Sequence, residues 1–273
     1  MSKNNKLRRE ISKSFVDKLN RANIHDMLLQ LASIEGVFLV PLNTKNGNKI
    51  MVYYYGCRAT KKLSNSKIGP NTLEKLDKIK EEIGEKCIKN SKEKDFQYWL
   101  AWKLNDEQDT DYRCLCTEYS VPNHTQNKDL GRQDLLIIDK EGNLLILECK
   151  YKEASLDGSS GVEAHAKDFR KILGKEKVLL LEDRNNASQL QDDISKDLKE
   201  LVEAQKALNI NKVFDGYSNI KKVKCAFLYI DVLEDSKKRN TEGCPIYKLK
   251  YNDDKNQLYC DFKEKLVEAF SHF

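Results

Sequence analysis

The spacing of apolar side chains along the chain predicts a mixture of amphipathic helices and short strands. Apolar residues recur at every third or fourth position over residues 6–19 and 24–34, which predicts two helices. Apolar runs at 37–42 and 50–55 predict two strands, and the glycine at Gly47 between them favours a hairpin turn. We therefore expect the first part of the chain to form a small α+β unit.

The rest of the chain alternates helical and strand patterns, which predicts an α/β fold. A polar, lysine-rich loop from Arg58 to Pro70 and a helix over 71–88 are expected to lead into it. Residues 178–181 fit either a strand or a helix. The other predicted helices cover 91–104, a segment ending at Leu173, 187–208 and 262–270, and the other predicted strands cover 113–121, 223–232 and 246–251.

One hairpin forms the centre of this pattern. Two apolar runs, 135–138 and 144–147, are separated by a short polar stretch that contains Gly142. A three-residue loop with Gly142 in the left-handed conformation would join them, because glycine has no Cβ to clash there. This register places Asp134 opposite Glu148. Both strands are apolar on both faces, which is typical of strands in the middle of a covered sheet.

Three charged residues lie at one end of this apolar hairpin. Side chains alternate between the two faces of a strand, so Glu148 and Lys150 share a face, and the register adds Asp134 to it. Carboxylates beside such strands are costly to bury unless they are paired or bind a cation. The three residues form either a functional site or a plain charge cluster at a strand end, and we favour the functional interpretation.

The segment from Asp134 to Lys150 resembles the PD-(D/E)XK nuclease superfamily, which has the restriction-endonuclease-like fold. The matching residues are Asp134 and, after thirteen intervening residues, Glu148, Cys149 and Lys150. The resemblance implies a core of one helix, three antiparallel strands, a second helix and a fourth strand. It also implies a Mg²⁺ cofactor, which Mn²⁺ can replace. Asp134, Glu148 and the backbone carbonyl of Cys149 are then the expected metal ligands, and Asp134, Glu148 and Lys150 the expected catalytic residues.

Glu93 and Glu118 are further candidate metal ligands. The resemblance implies an acidic residue near the start of the first core helix, for which Glu93 is the best match and Asp95 the second. Alternatively, Glu93 stabilises the helix dipole. Glu118 lies inside a predicted strand and either adds a third metal ligand or faces solvent at an edge. His165, on a predicted helix, either contacts a phosphate, assists a proton transfer or does neither.

The charge of the chain is unevenly distributed. The formal net charge is +5, and the basic excess lies in residues 1–90, whereas residues 91–273 are net acidic. We therefore predict a basic N-terminal lobe over 1–90, which binds nucleic acid or a partner, followed by a nuclease-like domain over 91–273. The alternative is that the lysine-rich helices are only solvated surface. The candidate nucleic-acid-binding residues are Arg58, Lys61, Lys62 and Lys67.

Composition narrows the class of protein. No apolar run approaches the length of a membrane span, so no membrane partner is expected. The basic N-terminal segment lacks the apolar centre of a secretory signal. The eight cysteines are scattered, without a Cys-x-x-Cys pair. These features predict reduced thiols and a cytoplasmic location.

Three functional hypotheses follow. The first is a metal-dependent nuclease that hydrolyses phosphodiester bonds, with DNA as the expected substrate. In it, Lys150 stays protonated beside two carboxylates, orients the attacking water and offsets charge in the transition state. The second is a non-catalytic module on the same fold that binds nucleic acid or protein. The third, another enzyme class, lacks support because no Gly-rich phosphate loop, zinc spacing or nucleophile elbow is present.

Overall fold

A computed structural model of the chain describes residues 11–20, 24–44, 47–55, 57–58, 63–64, 74, 77–79, 81, 92–107, 111–120, 130–153, 156–174, 177–181, 189–208, 210, 216–232 and 239–273. Within these residues, helices and strands alternate in an α/β arrangement, as the apolar pattern predicts.

The N-terminal part contains two helices and a small antiparallel sheet. Its elements are α1 (Lys13–Asn20), α2 (Ile24–Ala32), β1 (Val37–Thr44), β2 (Gly47–Tyr54), β3 (Cys57–Arg58) and β4 (Leu63–Ser64). The predicted hairpin is confirmed as β1–β2. The predicted loop from Arg58 to Pro70 is wrong in part, because β3 and β4 both pair with β2. In the backbone register, Leu63 pairs with Ile50 and Ser64 with Lys49.

The larger part contains a mixed sheet with helices packed on it. Its elements are α3 (Lys92–Asp106), β5 (Tyr112–Ser120), β6 (Arg132–Asp139), β7 (Asn143–Tyr151), α4 (Val162–Leu173), β8 (Val178–Leu180), α5 (Gln189–Leu208), β9 (Lys222–Ile230), β10 (Ile246–Leu249) and α6 (Lys255–Phe270). Among the described residues the sheet has six strands in the order β10-β9-β7-β6-β5, with β8 pairing with β9. Strands β5, β6 and β7 are antiparallel neighbours, whereas β7, β9 and β10 run parallel.

The start of the last helix differs from the sequence prediction, and the structure decides the stretch that the sequence left open. The last helix begins at Lys255 rather than at residue 262, because Asp254 caps it by accepting hydrogen bonds from two backbone N–H groups of its first turn. The ambiguous stretch at 178–181 is a strand, and it pairs antiparallel with β9. The helix that ends at Leu173 is confirmed as α4.

The predicted register of the central hairpin is confirmed. Ile138 pairs with Leu144 and Leu136 with Ile146, so both strands keep the predicted alignment up to the charged end. Gly142 has a φ of 91°, in the left-handed region expected for the loop. The side chain of Asp139 closes the turn by accepting hydrogen bonds from the backbone and side-chain nitrogens of Asn143, both at 2.8 Å.

Helices cover the sheet as two contacting pairs. Trp99 on α3 and Tyr259 on α6 meet edge to face with 6.3 Å between ring centroids, and α4 contacts α5. The apolar residues of β6 and β7 are consequently buried on both faces, with exposures of at most 1%. Burial of this extent keeps the two strands rigid and places their charged ends at the sheet boundary.

The β1–β2 hairpin contributes to two apolar cores. Phe38 and Val40 pack into the core of the larger sheet. Val37 and Leu39, which point to the opposite face of β1, pack into a smaller core with α1 and α2. The division at residue 90 stays a prediction. The two parts meet at this hairpin and also at the end of α5, where Leu208 packs into the smaller core.

Among the described residues, no helix is both long enough and apolar enough to cross a membrane. The described cysteine side chains are free thiols.

Candidate active site

A pocket of about 570 Å³ lies at the charged end of the central hairpin. Residues from α3, β5, β6, β7 and α4 line it, so the strands form its floor and the helices form its walls. Six of the side chains singled out from the sequence line this pocket: Glu93, Glu118, Asp134, Glu148, Lys150 and His165. The fold therefore brings together residues that are up to 72 positions apart in the chain.

Glu148 and Lys150 form a buried ion pair on the floor of the pocket. The two residues are 2% and 3% exposed, and Lys150 Nζ donates to Glu148 Oε1 at 2.7 Å. The same oxygen lies 2.9 Å from His165 Nε2 on α4. The other carboxylate oxygen, Oε2, is buried and has no hydrogen-bond partner among the described atoms. An unpaired buried carboxylate oxygen is costly, so it marks a place where a ligand would be stabilising.

Asp134 is held against the neighbouring strand by the backbone. Its Oδ2 accepts a hydrogen bond from the Cys149 N–H at 2.8 Å. The backbone carbonyl of Asp134 accepts another, from Gln97 Nε2 at 2.8 Å. Gln97 is only 1% exposed and lies on α3, so this helix fixes the backbone that carries Asp134.

Burial and mutual repulsion set the protonation of the floor. Loss of solvent raises the pKa of Glu148 to about 7, although the positive charge of Lys150 acts in the opposite direction. Burial, and then the charge of Glu148, also raise the pKa of Asp134. Burial alone would lower the pKa of Lys150, but the two carboxylates outweigh it and the pKa is raised. Lys150 therefore stays protonated, as expected from the sequence.

The neutral form is favoured at His165. Burial, followed by the positive charge of Lys150, lowers the pKa of this imidazole. Its Nε2 faces the carboxylate of Glu148, and because a carboxylate accepts hydrogen bonds, we assign the ring proton to Nε2. The other ring nitrogen, Nδ1, is buried and has no hydrogen-bond partner among the described atoms.

Glu93 reaches the end of β7 from the first turn of α3. Its Oε2 accepts a hydrogen bond from the Tyr151 N–H at 2.9 Å, next to Lys150 in the chain. Glu93 also lines the pocket, whereas its neighbour Asp95 is not among the lining residues. The contact ties α3 to β7, and a metal-binding role for Glu93 stays a prediction.

Glu118 lies on the rim of the pocket between two basic side chains. Its carboxylate lies 3.4 Å from Lys94 Nζ and 3.6 Å from an Arg132 guanidinium nitrogen. Its φ of 50° is unusual for a residue with a side chain. The backbone irregularity on β5 turns Glu118 toward the pocket, so it faces neither the core nor open solvent.

Sequence reasoning left out some residues that line or support the pocket. His165 was considered without a partner, and Asp168 and Gln97 were not considered at all. On α4, His165 and Asp168 adjoin the apolar stripe that contains Ala166 and Phe169, and both are at most 7% exposed. Polar residues next to an apolar helical stripe were the available signal.

The donor set suits one hard divalent cation. Among the described residues no three His, Cys, Asp or Glu side chains form a ready-made metal cage. Mg²⁺ does not require such a cage, because it commonly binds through one or two carboxylates, several waters and the phosphates of its substrate. Asp134 and Glu148 each have one oxygen anchored by the protein, and the unpaired Glu148 Oε2 supplies a hard ligand. These residues fit Mg²⁺ or Mn²⁺.

Other predicted residues are not among those that line the described part of the pocket, or lie outside the described residues. Cys149 is fully buried in β7, and the ligand role of its carbonyl stays a prediction. Arg58 is part of the short strand β3, opposite Tyr53. Lys61, Lys62 and Lys67 lie outside the described residues.

Comparisons of the chain with protein-family models, with curated proteins and with solved structures found no match.

Proposed function

We propose that this protein is a metal-dependent nuclease that hydrolyses phosphodiester bonds, with DNA as its substrate. The observation that carries the proposal is the juxtaposition of Asp134, Glu148 and Lys150 on the floor of one pocket. Two carboxylates of raised pKa and a protonated lysine are expensive to bury together. A divalent cation and a phosphodiester would offset this cost. The cation would bind the two carboxylates, and the phosphate would bind both the divalent cation and the Lys150 ammonium.

The rim of the pocket supports an anionic substrate. Lys94, Arg132, Lys167 and Lys171 surround the acidic floor. Positive charge around an opening attracts a polyanion and contacts its flanking phosphates. The acidic floor would repel a phosphate unless a cation neutralised it, which agrees with metal dependence.

The chain's own residues have separable roles in this proposal. When bound, the divalent cation supplies polarisation of the phosphoryl group and makes water more acidic. Asp134 and Glu148 would hold it through the oxygens that the protein leaves unanchored. Lys150, protonated and fixed by Glu148, donates an N–H to the attacking water or to a phosphoryl oxygen and offsets the growing negative charge. The water oxygen bonds to phosphorus as the bond to the leaving oxygen breaks; the water releases one proton to solvent, and the leaving oxygen takes up a proton from solvent.

Cleavage of defined substrates tests the proposal. Single-stranded, duplex and branched DNA, with matched RNA, are incubated with the full chain in Mg²⁺, in Mn²⁺ and in EDTA. We expect cleavage in both metals and none in EDTA. Asp134→Asn is expected to lose Mn²⁺ affinity and activity together, because one ligand charge is removed.

If the wild-type protein bound neither Mg²⁺ nor Mn²⁺ and cut none of these substrates, the nuclease proposal would be excluded. If it still retained DNA, the non-catalytic binding module would be the better description. Cleavage that persists in EDTA would also contradict the proposal, because the acidic floor would then have no cation to neutralise it.

A further inference from the structure

Helix α4 touches both strands that carry the acidic residues of the pocket. His165 Nε2 lies 2.9 Å from Glu148 Oε1 on β7. One turn later, Asp168 Oδ2 accepts a hydrogen bond from the Gly131 N–H at 2.8 Å. Gly131 immediately precedes β6 and lies three residues before Asp134. Two buried side chains of one helix therefore bridge the two strands at the level of the site.

The missing side chain of Gly131 permits this close approach. A Cβ at this position would come within 3.1 Å of Asp168 Oδ2 and 3.3 Å of His165 Cε1. Both distances are shorter than ordinary van der Waals contact, so a larger residue would force the Asp168 and His165 side chains to shift by a few tenths of an ångström. Glycine here leaves room for both side chains in their observed positions.

The contact with His165 also fixes the orientation of Glu148. Its Oε1 receives both Lys150 Nζ and His165 Nε2, and this leaves Oε2 as the oxygen without a partner among the described atoms. A carboxylate that is anchored through one oxygen cannot rotate freely, so it presents the other oxygen in one direction. Asp134 is anchored in the same way through Oδ2.

We infer that His165 and Asp168 are positioning residues that hold the two carboxylates in the orientation a divalent cation requires. This inference rests on the proposed function. His165 acts through Glu148, and Asp168 acts through the backbone that leads to Asp134. Groups that orient metal ligands by hydrogen bonds change metal affinity by about 10- to 100-fold when removed.

Calorimetric titration of the full chain with Mn²⁺ alone tests the inference without a cleavage assay. His165→Leu fills the buried position with an apolar side chain but removes the N–H donor to Glu148. We expect Mn²⁺ affinity to fall at least about 10-fold. His165→Gln keeps an N–H donor at similar reach and is expected to restore affinity to within about threefold of wild type. Glu163→Gln, an exposed change on the same helix, is the matched control and is expected to bind like wild type.

Asp168 provides an independent arm if His165→Leu does not fold. Asp168→Asn retains an oxygen that can accept from the Gly131 N–H, whereas Asp168→Leu removes it. We expect Mn²⁺ affinity to fall in Asp168→Leu and to be retained in Asp168→Asn. Wild-type affinity in both leucine variants would overturn the inference, as would equal loss in the leucine and amide variants. Failure of the proposed function would look different, because the wild-type protein itself would then bind no Mn²⁺.

Discussion

At the level of single residues, the burial of the Glu148 carboxylate is only partly compensated by hydrogen bonds. It is almost fully buried, its pKa is raised to about 7, and one of its oxygens has no hydrogen-bond partner among the described atoms. Lys150 and His165 both donate to the other oxygen. The carboxylate is therefore held in place while one of its oxygens has no compensating partner among the described atoms. This is the condition expected of a metal ligand in the absence of its cation.

The first prediction concerns Lys150. Lys150→Ala removes the protonated ammonium but leaves both carboxylates and the His165 contact to Glu148. Mn²⁺ binding is therefore expected to persist or to tighten, because a competing cation has gone. Cleavage is expected to fall by about 100-fold or more, the usual scale for loss of one preorganised electrostatic group. Single-turnover cleavage rates at saturating metal measure the effect.

Lys140→Ala is the control for this change. Lys140 lies in the turn at the other end of the same hairpin and pairs with Asp111 at the surface. Its replacement is expected to leave cleavage unchanged. If Lys150→Ala cleaved as fast as this control, Lys150 would have no catalytic role.

The second prediction links the pKa of Glu148 to stability. In the metal-free protein this pKa is raised from an ordinary 4.5 to about 7. Between these pH values the folded state keeps a proton that the unfolded chain has released. The contribution of Glu148 to the free energy of unfolding is therefore expected to fall as pH rises from about 4.5 to about 7. The shift corresponds to about 3 kcal/mol.

Urea unfolding in EDTA across this pH range measures that slope. Glu148→Gln cannot release the proton, so its profile is expected to be flatter than that of wild type. Asp134, whose pKa is also raised, leaves a residual slope in the same direction. Glu141→Gln, an exposed change in the hairpin turn, should keep the wild-type slope. Equal slopes in all three proteins would show that Glu148 is ionised in the folded state as readily as in the unfolded chain.

At the level of elements, the central hairpin depends on a glycine for two reasons. Gly142 has a φ of 91°, and a Cβ added there would lie 2.2 Å from the backbone carbonyl oxygen of Asn219. Gly47 has the same φ in the β1–β2 turn, but no atom of the described residues lies within 4 Å of its Cβ position. A comparison of the two positions therefore separates the cost of a left-handed backbone, which both share, from the cost of steric crowding, which the described residues impose only at Gly142.

The third prediction uses this pair. Gly47→Ala is expected to cost about 1–2 kcal/mol, the penalty for a side chain in the left-handed region. Gly142→Ala is expected to cost about 1–3 kcal/mol more, because the chain before β9 must also move away. Thermal and urea unfolding of both variants measure the difference. Equal losses would mean that the loop near Asn219 yields without cost.

The same hairpin explains what the sequence could predict. Its register follows from local rules, because the turn length and the left-handed Gly142 fix which residues pair. The walls of the pocket depend instead on contacts between distant elements, such as Asp168 with Gly131 and Gln97 with Asp134. Helical periodicity shows which face of α3 or α4 is buried, but it does not show which strand a polar residue at the edge of that face will meet.

The direction of the Glu118 side chain could not be predicted, because the backbone of β5 is irregular. Its pairing with β6 shifts between Cys114 and Cys116, and Glu118 has a positive φ. Strict alternation of side chains assumes a regular strand, so it could not decide where Glu118 points. The choice between a metal ligand and an exposed edge residue left out the third arrangement, in which Glu118 pairs with Lys94 and Arg132.

At the level of the whole molecule, the basic N-terminal part carries the fourth prediction. Changing Lys61, Lys62 and Lys67 together to glutamine removes three positive charges. If these lysines contact phosphates, DNA binding weakens similarly for all sequences, and the slope of log affinity against log salt decreases by up to about 3. Fluorescence anisotropy over a range of salt concentrations measures the slope.

A matched triple change separates this effect from the loss of net charge. Lys196, Lys248 and Lys250 are exposed and belong to the larger part of the molecule. Their replacement by glutamine removes the same charge and is expected to leave the slope nearly unchanged. Equal slopes for the two triple variants would assign Lys61, Lys62 and Lys67 to plain solvated surface.

The parallel pairing of β7 with β9 has a consequence for synthesis. Residues 138 and 144 meet across a tight turn, whereas Asn143 pairs with Lys222, about 80 residues later. At roughly 5–20 residues per second, β9 leaves the ribosome several seconds after the hairpin, which itself closes in microseconds. During that interval one edge of a strand that is apolar on both faces has no partner. Nascent chains are therefore most prone to aggregate while residues 152–221 are being translated, and faster elongation through this segment is expected to increase the soluble yield.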